Sequence, residues 1–186
     1  YNIDYKVFEN FIKEFSNKKF LIFGFTSFIY QYFYKKINNS KYNLKNGFLI
    51  HGGGWKKLNN LKISNNTFKK ILQNKFQLKK VFNYYGLVEQ TGSIFFECKN
   101  GYFVSSIFSD IIIRGKNFEP LPNGKKGLVQ LISILPSSYP GHNILTEDIG
   151  SIIDKKIKCS CGLNGKHFLV HGRAKESEIR GCSDAR

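Results

Sequence analysis

The sequence predicts a mixed α/β fold: an α/β sheet layer in the N-terminal half, packed on a β-rich, barrel-like subdomain in the C-terminal half. Three observations carry that expectation. Helix-like and strand-like apolar patterns alternate up to about residue 86, turn signals recur at short intervals after Gly92, and Gly-rich polar strings follow the expected strands. The expected division is 1–92 for the α/β part and 93–186 for the β-rich part, with no repeats and no low-complexity linker between them.

Val7, Phe8, Phe11, Ile12 and Phe15 recur at helical spacing and predict an amphipathic helix over 7–15. Residues 20–24 read as a buried strand, 27–36 as a helix, and 47–51 as a second buried strand. Ser64 is suited to cap a helix over 64–74 whose apolar side carries Phe68, Ile71 and Leu72. A third strand is expected at 80–84. Alternating helix and strand favours mainly parallel pairing. Beyond Gly92 the expected strands are 93–97, 102–106, 110–114 and 127–135. They are separated by the turn signals Lys99-Asn100-Gly101, Gly115-Lys116-Asn117 and Pro122-Asn123-Gly124.

The formal net charge is +16, from 29 Lys+Arg against 13 Asp+Glu. Such a field suits a nucleic-acid or anionic partner, but no Lys/Arg run is longer than two and there is no Arg-rich block. The lysines read as solvated surface filler, and no nucleic acid is expected. The strand-sized run Phe20-Leu21-Ile22-Phe23-Gly24-Phe25 falls far short of the ~20 apolar residues of a membrane span. Asp4, Glu9 and Glu14 interrupt any signal-like start. Four irregularly spaced Cys do not form a secreted disulfide framework, so a cytoplasmic protein is expected. The chain has no Met and begins at Tyr1, which reads as an excerpt of a longer protein.

Three groups of residues carry chemistry. His51-Gly52-Gly53-Gly54-Trp55-Lys56 follows a strand, where glycines admit close backbone approach and free N–H groups can hold phosphate. It lacks the spacing of a Walker A loop or a dinucleotide fingerprint, and a plain tight turn is the competing reading. Asn83-Tyr84-Tyr85-Gly86-Leu87-Val88-Glu89-Gln90-Thr91-Gly92 follows the next strand and contains a hard carboxylate, Glu89, of the kind a Mg²⁺–nucleotide site uses, with a plain surface carboxylate as the competing reading. Thr146-Glu147-Asp148 and Gly172-Arg173 complete the series. His51 and His142 flank Gly-containing turns, with surface structure the plainer role for each.

The order Gly-rich turn, Tyr-Gly-x-x-Glu, Thr-x-Asp, Gly-Arg resembles the adenylate-forming enzymes. That resemblance implies a large domain with the fold stated above, ATP and Mg²⁺ as cofactors, and a set of roles. Glu89 would hold Mg²⁺. Gly52, Gly53, Gly54, Tyr85 and Gly86 would surround the adenine, and Asp148 would take the ribose hydroxyls. Arg173 would reach ribose and phosphate. Val88 stands where the wider group has Thr or Ser, so Gln90 or Thr91 would replace the lost hydroxyl.

The strings Gly53-Gly54-Trp55-Lys56, Tyr85-Gly86-Leu87-Val88-Glu89-Gln90, Ser138-Tyr139-Pro140-Gly141-His142, Thr146-Glu147-Asp148 and Glu178-Ile179-Arg180-Gly181-Cys182 narrow the likeness. They resemble the acyl-protein synthetases of bacterial fatty-acid reductase systems and, more distantly, phenylacetate–CoA ligases. The implied activity is activation of a fatty or related carboxylic acid to acyl-AMP, then transfer to a protein cysteine. Cys182 is the implied acceptor, its thiolate favoured by nearby Arg180; a buried residue in a tight turn is the alternative. An acyl-reductase or acyl-carrier protein is the implied partner. The family's phosphate loop would lie upstream of this stretch, and Lys175-Glu176 replaces its acidic hinge pair, so this chain alone is expected to be inactive. Other readings stay open: a CoA or carrier-protein ligase, a basic nucleic-acid module, or an inactive remnant.

Cys159-Ser160-Cys161-Gly162 reads as half of a zinc knuckle, with Cys98 as a third ligand and His167 or His171 as a fourth. Reduced free thiols are the plainer alternative.

Overall fold

The computed structural model describes residues 2–38, 41–154 and 159–174. The chain divides into two compact units, Tyr1–Tyr84 and Tyr85–Arg186.

The first unit runs α1 (Tyr5–Phe15), β1 (Phe20–Phe25), α2 (Thr26–Phe28) continued by a π-helical turn (Ile29–Tyr34), β2 (Gly47–Gly52), a 3₁₀ segment (Lys56–Leu61) and α3 (Asn65–Phe76), and ends within β3 (Lys80–Gly86), at Tyr84. Both longer helices start at side-chain caps: Asp4 accepts from Val7 N–H at 3.0 Å, and Ser64 from Thr67 N–H at 3.1 Å. Helix α3 ends at Gln77 in the left-handed region. It buries Phe68, Leu72 and Phe76, one helical turn apart. The strands β1, β2 and β3 are parallel, as the alternating pattern predicts. Their register sets Phe25 beside Gly52 and Gly52 beside Tyr84, so the carboxyl ends of the strands line up. The expected helix over 27–36 is a short α-helix and a π-helical turn instead. Both forms keep an apolar stripe facing inward, here Ile29, Tyr30 and Phe33, so the sequence pattern does not distinguish them.

The second unit contains a 3₁₀ turn (Val88–Gln90), β4 (Ile94–Phe96), β5 (Phe103–Val104), β6 (Ser109–Arg114), β7 (Gly127–Ser133), β8 (Asn143–Ile152) and β9 (His167–Arg173). Strands β5 to β9 form one antiparallel sheet in the order β5-β9-β8-β7-β6. The sheet is open: among the described residues β5 and β6 are its edges, so the β-rich part does not close into a barrel. Each unit has its own apolar core. Phe68, Leu72 and Leu49 anchor the first, while Phe95, Phe168, Ile111 and Leu131 anchor the second. Among the described residues no helix is long and apolar enough to cross a membrane.

Candidate functional site

Thr146-Glu147-Asp148 is a break in the ladder between β7 and β8. Leu128 faces Ile149 and Gln130 faces Leu145, so these three residues lie opposite Val129 alone. The Thr146 hydroxyl closes the gap. It donates to the Val129 carbonyl at 2.8 Å and accepts from the Asp148 N–H at 3.1 Å. A hydroxyl two residues before the Asp thus replaces a lost ladder bond and sets where the carboxylate points, a use of a bulge found beside functional sites.

Tyr85 holds that carboxylate. Its hydroxyl donates to Asp148 Oδ2 at 2.7 Å. Its ring packs on Phe95, Phe103 and Phe168 at centroid distances of 6.2, 5.9 and 6.2 Å. Burial raises the Tyr85 phenol well above its ordinary value, and the Asp148 charge raises it further. The phenol therefore stays protonated and remains a donor. Asp148 Oδ1 carries no hydrogen bond among the described residues, which leaves one carboxylate oxygen for a ligand.

A second bulge brings Arg173 into register with Asp148. Along β9, Gly172 pairs with Ile149 and Val170 with Gly150, leaving His171 as the extra residue. Gly172 takes φ +123°, a conformation that costs little only for glycine, and it has open space around it. Arg173 then falls opposite Asp148. Its guanidinium lies 3.5 Å from the exposed Glu147 carboxylate, a solvent-facing pair that is readily redirected.

The Tyr85-to-Thr91 string interlocks with Ser138-Tyr139-Pro140-Gly141-His142. Gln90 is fully buried, and its amide donates to the Leu131 carbonyl at 3.3 Å and the Gly141 carbonyl at 3.0 Å. Thr91 N–H donates to the Tyr139 hydroxyl at 3.1 Å, and Thr91 Oγ1 donates to the Val88 carbonyl at 3.2 Å. Gly141 is required there: a Cβ would sit 2.8 Å from the Glu89 carbonyl oxygen. Glu89 itself is exposed on the 3₁₀ turn. Sequence reasoning quoted Tyr139 without a role. Its contact with Thr91 spans 48 positions, a distance at which no local signal operates.

In the first unit, Gly52 closes β2 under the Tyr84 ring; a Cβ would fall 2.3 Å from a ring carbon. Gly53 follows at φ +74°, and both Gly53 and Gly54 are exposed. His51 is buried. Thr26 Oγ1 donates to the Gly52 carbonyl at 3.0 Å and so accepts from His51 Nδ1–H at 2.9 Å. His51 Nε2 is buried with no hydrogen-bond partner among the described residues. Burial, with the Lys69 charge second, lowers the imidazole to about 4, so the ring is neutral near pH 7.

The predicted residues therefore sort into groups. Tyr85, Asp148 and Arg173 come together in the second unit. Glu89 and Thr91 are exposed nearby in sequence, and Gln90 between them is a buried clamp. Cys98, Cys159 and Cys161 gather with His167, whereas the His171 ring lies against Ser151 at 2.9 Å. Cys182 lies outside the described residues.

The family described as "Acyl-protein synthetase, LuxE" matches residues 2–186. The chain belongs to this family. A curated relative, the long-chain-fatty-acid–luciferin-component ligase of Vibrio harveyi, is 28% identical over 145 residues, covering 73% of this chain and 35% of its own length. The chain thus spans about a third of that ligase. Among solved structures, a 2-hydroxyisobutyryl-CoA ligase with 2-HIB-AMP and CoA matches this chain with TM-score 0.65 and 16% identity, over 84% of this chain and 34% of that one. The luciferase-like enzyme of the mealworm Zophobas morio matches with TM-score 0.59 and 21% identity, over 94% and 41%. At these identities the likeness establishes the fold alone.

Proposed function

We propose that this chain is the nucleotide-handling part of an ATP-dependent ligase. The ligase converts a long-chain or related carboxylic acid to acyl-AMP and passes the acyl group to a protein cysteine. The observation that carries the reading is Asp148, held by Tyr85 through one oxygen, open at the other, and faced by Arg173. A carboxylate with one free oxygen, opposite an arginine in the strand register, suits the vicinal hydroxyls and phosphate of AMP. The long-chain acid is suggested by the name of the Vibrio harveyi relative.

In this reading the substrate carboxylate attacks the α-phosphorus of ATP, and pyrophosphate leaves. A thiolate then attacks the acyl carbon and AMP leaves. Asp148 orients the ribose, Tyr85 fixes Asp148 and offers its ring to adenine together with Gly86, and Arg173 offsets phosphate charge. Glu89, exposed on its turn, offers a hard carboxylate to the Mg²⁺ that accompanies ATP. Cys182 is the proposed acceptor, and an acyl-reductase or acyl-carrier protein the proposed partner. Thr91 and Gln90 support the Glu89 turn from Tyr139 and Gly141. Zinc has no part in this chemistry, and its case rests on other residues.

Intact-protein mass spectrometry of the full-length protein, incubated with Mg-ATP and a panel of carboxylic acids, tests the reading. The expected result is a hydroxylamine-sensitive mass increase that maps to Cys182 and disappears in Cys182→Ser. AMP release from an unmodified protein would move the acceptor to CoA or a carrier protein. No ATP turnover with any acid would sink the ligase reading.

A further inference from the structure

Cys98, Cys159, Cys161 and His167 are scattered over the second unit's sequence, yet the fold brings them to one edge of its sheet. Cys98 opens a tight hairpin, its N–H donating to the Tyr102 carbonyl at 2.7 Å and its carbonyl accepting from Gly101 N–H at 3.0 Å. Cys159 and Cys161 lie in the turn that precedes β9, and His167 is the first residue of β9. Strand β5 pairs with β9 through Val104 and His167, which draws the hairpin and the turn together. Gly165 is essential to that approach: at φ +116° it passes so close to Ser105 that a Cβ would sit 2.3 Å from the Ser105 carbonyl oxygen.

We propose that these four side chains hold one structural zinc ion. The three Sγ atoms and the imidazole nitrogen all lie within 4.8 Å of one another. Cys98 Sγ and Cys159 Sγ are 3.8 Å apart, far beyond the ~2.05 Å of a disulfide. Zinc bonded to sulfur at ~2.3 Å and to nitrogen at ~2.0 Å in a tetrahedron spaces its ligand atoms about 3.5 to 3.8 Å apart. The Cys161 Sγ to His167 Nε2 distance of 3.0 Å needs only a small opening to reach that spacing. Three thiols and an imidazole select zinc over magnesium or calcium. Four protein ligands complete the tetrahedron, which makes the site structural rather than catalytic.

The surroundings favour the same state. His167 Nδ1 lies 3.1 Å from the Gly165 carbonyl, which can only accept, so Nδ1 carries the proton and Nε2 turns its lone pair toward the sulfurs. N–H donors reach two of the sulfurs: Asn100 Nδ2 at 3.1 Å from Cys159 Sγ and Leu163 N at 3.4 Å from Cys161 Sγ. Such donors stabilise thiolates that have lost their protons to a metal. Cys98 and His167 are buried while Cys159 and Cys161 are partly exposed, which leaves an entry path. The ion would tie the hairpin and the turn to the start of β9, the strand whose far end carries Arg173. It would strengthen an edge where β5 contributes only two paired residues.

The test is metal analysis of full-length protein purified without chelator, by inductively coupled plasma mass spectrometry. The expected stoichiometry is about one zinc per chain. It should fall several-fold in Cys159→Ser and in His167→Ala and stay unchanged in Ser160→Ala. His167→Cys keeps four zinc ligands and should restore the metal, which separates ligand loss from misfolding. Cobalt substitution should add the visible bands of tetrahedral thiolate coordination. Metal-free protein whose Cys98, Cys159 and Cys161 all react with a thiol reagent, and whose thermal unfolding is indifferent to added zinc, would overturn the proposal. So would zinc that persists in Cys98→Ser/Cys161→Ser.

Discussion

The two units of this chain use buried polar groups differently. In the first, His51, Thr26 and the Gly52 carbonyl satisfy one another at the end of a parallel strand, and the imidazole is kept neutral by burial. In the second, Tyr85 and Thr146 position Asp148 through two separate hydrogen bonds and still leave a carboxylate oxygen open. The first leaves only the buried His51 Nε2 without a partner among the described residues and serves the fold. The other is held rigid while keeping a valence for a ligand, which is the pattern expected of a binding group placed by its surroundings.

Substitutions can break that contrast. The largest effect belongs to Asp148→Asn in the full-length protein. In its proposed role Asp148 is a charged acceptor for two ribose hydroxyls at about 1.5 kcal/mol or more each, so ATP–pyrophosphate exchange should fall about 100-fold. Unfolding free energy should move by less than about 1 kcal/mol, because the amide oxygen still accepts from Tyr85. Exchange retained at the parent rate would remove Asp148 from the site.

His51 should show the opposite signature, stability without chemistry. Its folded value of about 4 lies below the ordinary 6.5, so the unfolded chain binds a proton that the folded chain refuses. Stability is therefore whole above pH 6.5 and declines as pH falls toward 4, by at most about 3 kcal/mol. His51→Gln should flatten that part of a urea-denaturation series against pH; an unchanged slope would assign the loss to other groups.

Gln90→Leu leaves the Leu131 and Gly141 carbonyls without their donor and should cost about 2 kcal/mol in chemical denaturation. It should also lower exchange activity, because the Glu89 turn loses its anchor. Gly52→Ala must push the Tyr84 ring from its stack on Phe23, whose centroid is 5.5 Å away, and should cost about 1 to 3 kcal/mol. The smallest effect is expected of Tyr85→Phe, which keeps the ring among its aromatic neighbours and loses one hydrogen bond. An increase in KM for ATP of about tenfold with little change in Tm is the anticipated result.

Much of the fold was legible in the sequence, and unevenly. The expected strands at 20–24, 47–51 and 80–84 match Phe20–Phe25, Gly47–Gly52 and Lys80–Gly86, because apolar runs bounded by turns leave few alternatives. The helix over 64–74 matches Asn65–Phe76 for the same reason, with Ser64 marking its start. No strand was expected where β8 and β9 lie. Their bulges at Thr146-Glu147-Asp148 and at His171 interrupt the two-residue alternation on which strand recognition depends. The same residues were legible as Thr-x-Asp and Gly-Arg motifs, so the candidate site was marked by its strings where its secondary structure was not.

By itself the sequence determined the alternating first half, the turns that cut the second half into short strands, and the order of its chemical motifs. All of these are local, written in side-chain periodicity and in the backbone freedom of Gly and Asn. Tertiary structure alone decided that Tyr85 meets Asp148 across 63 positions, that Tyr139 holds Thr91, and that His167 rather than His171 joins the three cysteines. Those choices rest on strand register and on where bulges fall. A shift of one residue in β9 would exchange the faces of His167 and Phe168, and no string of neighbouring residues encodes which register wins.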